Sequence, residues 1–190
     1  MRIITLAILL CAFSSDVWAQ SSGSNEGPRV SAHFALAFAG DAETSSILGS
    51  IDVPLAPTLG AGVRFEYPVL KYLGIGALVE LVSFNPEDLD RQAALDLDIL
   101  IKGRYPLSLG SSELVLYVAV PLGGTVLFVE DADNYRGFNM GILGGAELVL
   151  GGGPLSLFAE FGWRYHGVGD DDVSLRTHQA ALNLGASLIL

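Results

Sequence analysis

Cysteine is nearly absent from this sequence: the only one, Cys11, lies within the first twenty of 190 positions. A chain with a single cysteine has no disulfide framework, and if processing removes Cys11 then thiol catalysis and thiolate metal sites go with it. Charge is scarce too, at 16% of residues against about 25% in an average soluble domain, while 51% are hydrophobic. Long apolar runs are also missing. Beyond the N-terminal segment, Gly, Asp, Glu or Arg interrupts every apolar stretch before the roughly 18 residues that a membrane helix requires. The chain is too apolar for an ordinary soluble domain, yet it is not assembled from membrane helices.

What is present begins with an export signal. Arg2 precedes an apolar run over residues 3–13, and Val17-Trp18-Ala19 then offers a small-residue cleavage site. Residues 1–19 are expected to be a signal peptide cleaved after Ala19, with residues 20–28 a flexible polar leader and residues 29–190 one domain. The bulky Leu10 before Cys11 argues against a lipoprotein anchor there.

From Arg29 onward the dominant pattern has a period of two, in segments of about ten residues. Val30, Ala32, Phe34, Leu36 and Phe38 share one face, and Leu59, Ala61, Val63, Phe65 and Tyr67 do the same in the second segment. The fourth is the clearest: Leu95, Leu97, Ile99 and Ile101 alternate with Asp96, Asp98, Leu100 and Lys102. The eighth places Leu182, Leu184, Ala186, Leu188 and Leu190 on one face. Short connections over residues 68–71, 106–112 and 151–154 alternate with longer, acidic ones over residues 40–57, 85–91, 124–137 and 167–177. Eight strands with unlike ends predict an up-and-down antiparallel barrel. Closure of the first strand on the last is required if the sheet sits in hydrocarbon, where open edges leave N–H and C=O groups unpaired.

Residue type decides which face points outward. One parity carries essentially no charge, as a lipid-facing surface requires, where a mid-membrane Arg or Lys costs about 2–4 kcal/mol. The other is rich in Gly, Ala, Ser and Asn with sparse charges, which suits a crowded lumen better than a solvated face. That lumenal set holds Glu66, Glu80, Asp96, Asp98, Glu147 and Glu160 against Arg64, Lys102, Arg104 and Arg164. A near balance of buried charges implies pairing across the lumen. Arg64, Lys102 and Arg104 are expected in the periplasmic half, and Arg164 near Glu80, Asp96 or Asp98 in the other. Eight strands leave a lumen narrow enough for Leu78, Leu100, Phe158 and the charge pairs to plug it.

Signal peptide, eight amphipathic strands, three tight turns, four long loops and a final strand over residues 180–190 together resemble the small bacterial outer-membrane barrels of the OmpA transmembrane domain, OmpX and OmpW type. The resemblance implies an all-β transmembrane barrel in the bacterial outer membrane and brings no catalytic, cofactor or metal motif. A monomer with a structural or surface-interaction role is therefore expected, in contact with outer-membrane lipid and not with nucleic acid.

The long connections carry most of the net charge of −11, through Asp41, Glu43 and Asp52 in the first, Glu87, Asp88 and Asp90 with Arg91 in the second, Glu130, Asp131 and Asp133 with Arg136 in the third, and Asp170, Asp171 and Asp172 with Arg176 in the fourth. An acidic rim keeps the surface solvated, and divalent cations or basic surface partners are its candidate ligands. Asp131 and Asp133 do not complete an EF-hand, which needs a turn glycine and a terminal Glu at fixed spacing. Two other functions are open. A soluble lipocalin-like periplasmic carrier shares the period of two with the faces reversed. A lipid A-modifying barrel enzyme could draw on His166, the Asp170 to Asp172 run, Ser174 and His178, although parity sets His166 inward and His178 outward.

Overall fold

The computed structural model describes residues 27–46, 49–85, 92–129, 134–151, 153–169 and 173–190, so the expected signal peptide and most of the leader lie outside the described residues. The strands are β1 (Arg29–Ser46), β2 (Gly49–Leu55), β3 (Thr58–Leu70), β4 (Leu73–Phe84), β5 (Gln92–Leu109), β6 (Ser112–Phe128), β7 (Tyr135–Val149), β8 (Leu155–Gly169) and β9 (Val173–Ile189). They form one antiparallel sheet in the order β2-β1-β3-β4-β5-β6-β7-β8-β9, and β1 also pairs with β9, which closes the barrel.

Nine strands make eight staves. β2 pairs with the upper half of β1, from Gly40 opposite Leu55 to Ser46 opposite Gly49, whereas β3 pairs with the lower half, from Ala37 opposite Thr58 to Arg29 opposite Glu66. β2 and β3 are thus two halves of the second stave, interrupted at Ala56 and Pro57. The chain does not form the loop expected over residues 40–57: it continues as a hairpin whose strands extend the wall. The polar composition there reflects a position above the apolar belt, not an absence of strand. Two of the three short turns tighten relative to expectation, while the connection between β7 and β8 spans residues 150–154 against the expected 151–154. The connection between β5 and β6 shrinks to Gly110 and Ser111, with Gly110 at φ 66°, and Gly151 at φ 56° serves the turn between β7 and β8. Both need the left-handed conformation that glycine adopts without steric cost.

Faces follow the parity of the sequence. On β5, Asp96, Asp98, Leu100, Lys102 and Arg104 are buried, while Leu97, Ile99 and Ile101 are exposed. Phe34 on β1 is 76% exposed, which water would penalise and hydrocarbon would not. On β8 the outward row from Leu155 to Tyr165 advances ten residue steps, which at about 3.3 Å each and a tilt near 40° makes a belt about 25 Å tall. Tyr67, Tyr72 and Tyr105 stand exposed near the short-turn end. At the other end Trp163, Tyr165 and His178 pack together on the outer face, with ring centroids 5.1–6.3 Å apart. Amphipathic rings at both edges of an apolar band suit the two membrane interfaces.

A bulge marks the upper edge of that band. Phe38 lies opposite Ala180 and Asp41 opposite His178, so Ala39 and Gly40 of β1 face a single residue of β9. Ala39 takes φ 49°, the only non-glycine with positive φ among the described residues. The extra residue reverses parity. Below it odd-numbered residues of β1 face the lumen; above it Ala42 is buried and Asp41 is exposed. Glu43 and Arg176 then meet on the outside at 4.0 Å. Charge returns to the outer surface just where the aromatic residues end.

The left-handed conformation costs an L-residue about 1–2 kcal/mol. Ala39→Gly is therefore expected to stabilise the refolded barrel by about 1 kcal/mol, and Ala39→Val to destabilise it by more, as read from urea unfolding midpoints in detergent.

Candidate functional site

The lumen is where chemistry-bearing side chains converge, because period-two strands bring every second residue of all eight staves inward. Its lower part holds a continuous charged cluster. Arg29 donates to Glu147 at 2.7 Å, Lys102 bridges Glu66 at 2.8 Å and Glu147 at 3.3 Å, and Ser156 donates to Glu147 at 2.5 Å. Arg104 stands 3.7 Å from Glu66. The Lys102 ammonium lies 3.9 Å from the centre of the Tyr117 ring, a cation–π contact inside a desolvated space.

Further up, Arg64 binds Glu160 through two parallel hydrogen bonds of 2.6 and 2.8 Å, and Asn183 donates to Glu160 at 3.0 Å. The Arg64 guanidinium also lies over Phe158 at 5.2 Å. In the upper part Arg164 makes a bidentate pair with Glu80, whose second oxygen is also 2.8 Å from His33 Nε2. His166 Nε2 is 2.9 Å from Asp96, and its ring meets the edge of Phe84 at 5.0 Å. Bidentate guanidinium–carboxylate geometry is the strongest form of such a pair, and it fixes the relative height of the staves that carry it.

Apolar layers separate and cap these charges. Leu100, Val115, Tyr117, Ala119, Leu143 and Ala181 form a buried mid-lumen cluster. Val82, Phe84, Ala94, Leu127 and Val168 form a second at the long-loop end, packed by Val129, Tyr135 and Leu175. Glycine supplies the room. A Cβ on Gly62 would come within 2.5 Å of the His33 ring, one on Gly145 within 2.5 Å of Tyr117, and one on Gly185 within 2.5 Å of Phe158. Each large lumenal side chain leans over a stave that has no side chain at that height.

All ten charged residues assigned to the lumen are buried: Arg64, Glu66, Glu80, Asp96, Asp98, Lys102, Arg104, Glu147, Glu160 and Arg164. Of the three carboxylates expected near Arg164, Glu80 is the one that receives it. The remaining five candidates, Asp131, Asp133, Asp170, Asp171 and Asp172, lie outside the described residues. Sequence reading missed Arg29 as a member of the network, since it stands at the boundary between leader and barrel. Its odd number, shared with Ser31 and His33, was the available signal. The apolar cap went unrecognised too, because its residues come from strand ends where the alternation is short.

Among the described residues, the two histidines considered for catalysis stand on opposite faces of the wall. His166 is buried and bonded to Asp96, whereas His178 is exposed on the outer surface among Trp163 and Tyr165. The Thr177 hydroxyl lies 3.4 Å from His166 Nδ1, and Thr177 is itself 1% exposed.

No family model and no curated protein matches this sequence. Solved structures do match in fold. Neisserial surface protein A (NspA) superposes with a TM-score of 0.55 at 16% identity, covering 90% of this chain and 100% of that one. The outer membrane protein OprG from Pseudomonas aeruginosa gives a TM-score of 0.55 at 10% identity, covering 88% of this chain and 98% of that one. At these identities the likeness is one of fold: a closed eight-stave antiparallel barrel of the kind that small outer-membrane proteins adopt.

Removing one partner of a buried ion pair strands the other, at about 3–5 kcal/mol, whereas replacing both removes the penalty. Arg164→Met alone is therefore expected to lower the stability of the refolded barrel by about that amount. The double variant Arg164→Met with Glu80→Gln, which keeps an acceptor for His33, should recover most of it in the same urea titration. Additive losses would show that Arg164 and Glu80 are not energetically coupled.

Proposed function

We propose that this chain is a bacterial outer-membrane β-barrel protein, monomeric and embedded in outer-membrane lipid, with a structural or surface-interaction role. Its inverted polarity carries this reading. Phe34, Leu59, Ile99, Ile142 and Phe161 are exposed on the outside, while six carboxylates and five permanent cations are buried within. In water that arrangement would be unfavourable on both faces; in a bilayer it is favourable on both. A soluble lipocalin-like carrier needs the reverse, since an apolar ligand in this lumen would meet Arg64, Glu160, Arg164 and Glu80.

The lumen supports a closed body and not a pore. The burial of Leu78, Leu100 and Phe158 beside the ion pairs supports this, as does the buried apolar cluster of Val82, Phe84, Ala94, Leu127 and Val168 at the strand ends. The separation of His166 from His178 supports a non-catalytic role. Interaction is thereby left to the long-loop end, where Asp41 and Asp52 are exposed on the β1–β2 hairpin and the acidic runs near residues 87–90, 130–133 and 170–172 extend beyond the described residues. Divalent cations and basic surface partners fit that charge.

Cell fractionation tests the reading. The protein should pellet with membranes and migrate faster on gels before heating than after, whereas recovery in the soluble periplasmic fraction would contradict it. Planar bilayers should show no sustained large conductance, and His166→Ala should leave lipid A chemistry in cells unchanged.

A further inference from the structure

The lumenal charges divide unevenly. In the lower and middle parts Glu66, Glu147 and Glu160 contact four permanent cations, Arg29, Arg64, Lys102 and Arg104. In the upper part Glu80, Asp96 and Asp98 have one, Arg164, and Glu80 takes it in a bidentate pair. Asp96 meets a histidine through Oδ2 alone. Asp98 stands in no ion pair among the described residues.

Three buried oxygens at this height have no hydrogen-bond partner: Asp96 Oδ1, Asp98 Oδ1 and the hydroxyl of Thr125. Their residues are 1%, 7% and 2% exposed. The register places them together. Asp96 lies directly opposite Thr125, and Asp98, two residues on along the same lumenal row, lies opposite Gly123. Lumenal residues directly opposite on paired strands have Cβ atoms about 4.5–5.5 Å apart, within reach of one ligand. Glycine at 123 leaves the wall bare there, and a Cβ at that position would collide with Asp98 Oδ1.

We propose that Asp96, Asp98 and Thr125 form an oxygen-lined site for a small hard cation in the upper lumen. The donor set is made only of carboxylate and hydroxyl oxygens, which hard cations such as Ca2+, Mg2+ or Na+ accept and softer metals do not favour. Two carboxylates that must share with Glu80 the one nearby guanidinium, Arg164, supply the attraction, and under-compensated buried anions are costly enough to recruit a further cation. A bound cation would offset the deficit left where three carboxylates face the single guanidinium of Arg164. Water is the rival occupant, since it too satisfies orphaned buried oxygens. It carries no charge, which separates the two experimentally.

The test uses the mature chain refolded in detergent, with its thermal unfolding midpoint measured at constant ionic strength in choline, sodium, magnesium or calcium chloride. At least one small cation should raise the midpoint relative to choline by about 5 °C or more at a hundredfold excess over its dissociation constant, and the salt that does so identifies the cation. Asp98→Asn keeps the side-chain shape and removes the charge, so it should abolish that rise. Thr125→Val, which removes an oxygen and no charge, should raise the concentration of half-effect about tenfold. The triple variant Asp170→Asn, Asp171→Asn, Asp172→Asn should keep the rise, which separates the lumen from the acidic loops. Equal midpoints in all four salts would overturn the proposal in favour of water, and a cation effect that survives both lumenal substitutions would overturn it by placing the cation elsewhere.

Discussion

Every other property of this barrel depends on one constraint: within hydrocarbon no backbone N–H or C=O can be left without a partner. A sheet can meet it only by joining its first stave to its last. The long antiparallel ladder between β1 and β9, from Arg29 opposite Ile189 to Ser46 opposite Val173, does this. Once the sheet is closed, residues of one parity are sealed inside and those of the other are presented to lipid. The choice of which residues go where is then made for all staves at once, because a slip of one position would drive the inner charges outward.

That closure explains the lumenal chemistry. Eight staves leave space for side chains and little water, so every carboxylate taken inside must find a donor there. Arg64 with Glu160 and Arg164 with Glu80 answer this with paired hydrogen bonds between staves far apart in sequence. Such pairs act as pins. They hold β3 against β8 and β4 against β8 across the lumen, where the backbone ladder makes no connection. The bulge at Ala39 is the complementary device on the outside, since it moves acidic residues of β1 to the outer face only after the apolar belt has ended.

The sequence displays much of this, unevenly. Parity was legible because it repeats along each stave: Leu97, Ile99 and Ile101 outside, Asp96, Asp98 and Lys102 inside. The inward direction of Arg164 follows from the same count. Its choice of Glu80 over Asp96 does not, because it depends on strand tilt and stagger, which no local pattern records. The hairpin of β1 and β2 was hidden for a different reason. Above the membrane a strand needs no apolar face, so its residues resemble those of a loop. Arg29 was obscured by its place next to a polar leader, and the partners of His33 and His166 by separations of 47 and 70 residues. The acidic runs over residues 87–90, 130–133 and 170–172 are plain in the sequence and lie outside the described residues.

The inversion of polarity is open to direct measurement, because Cys11 is the only cysteine and falls within the expected signal peptide. Single cysteines placed in turn at positions 96 to 101 of β5 in the mature chain, labelled with a fluorophore and reconstituted with brominated lipid, report which side chains touch acyl chains. Strong quenching at 97, 99 and 101 with little at 96, 98 and 100 is the predicted result. Uniform quenching, or the opposite phase, would contradict it.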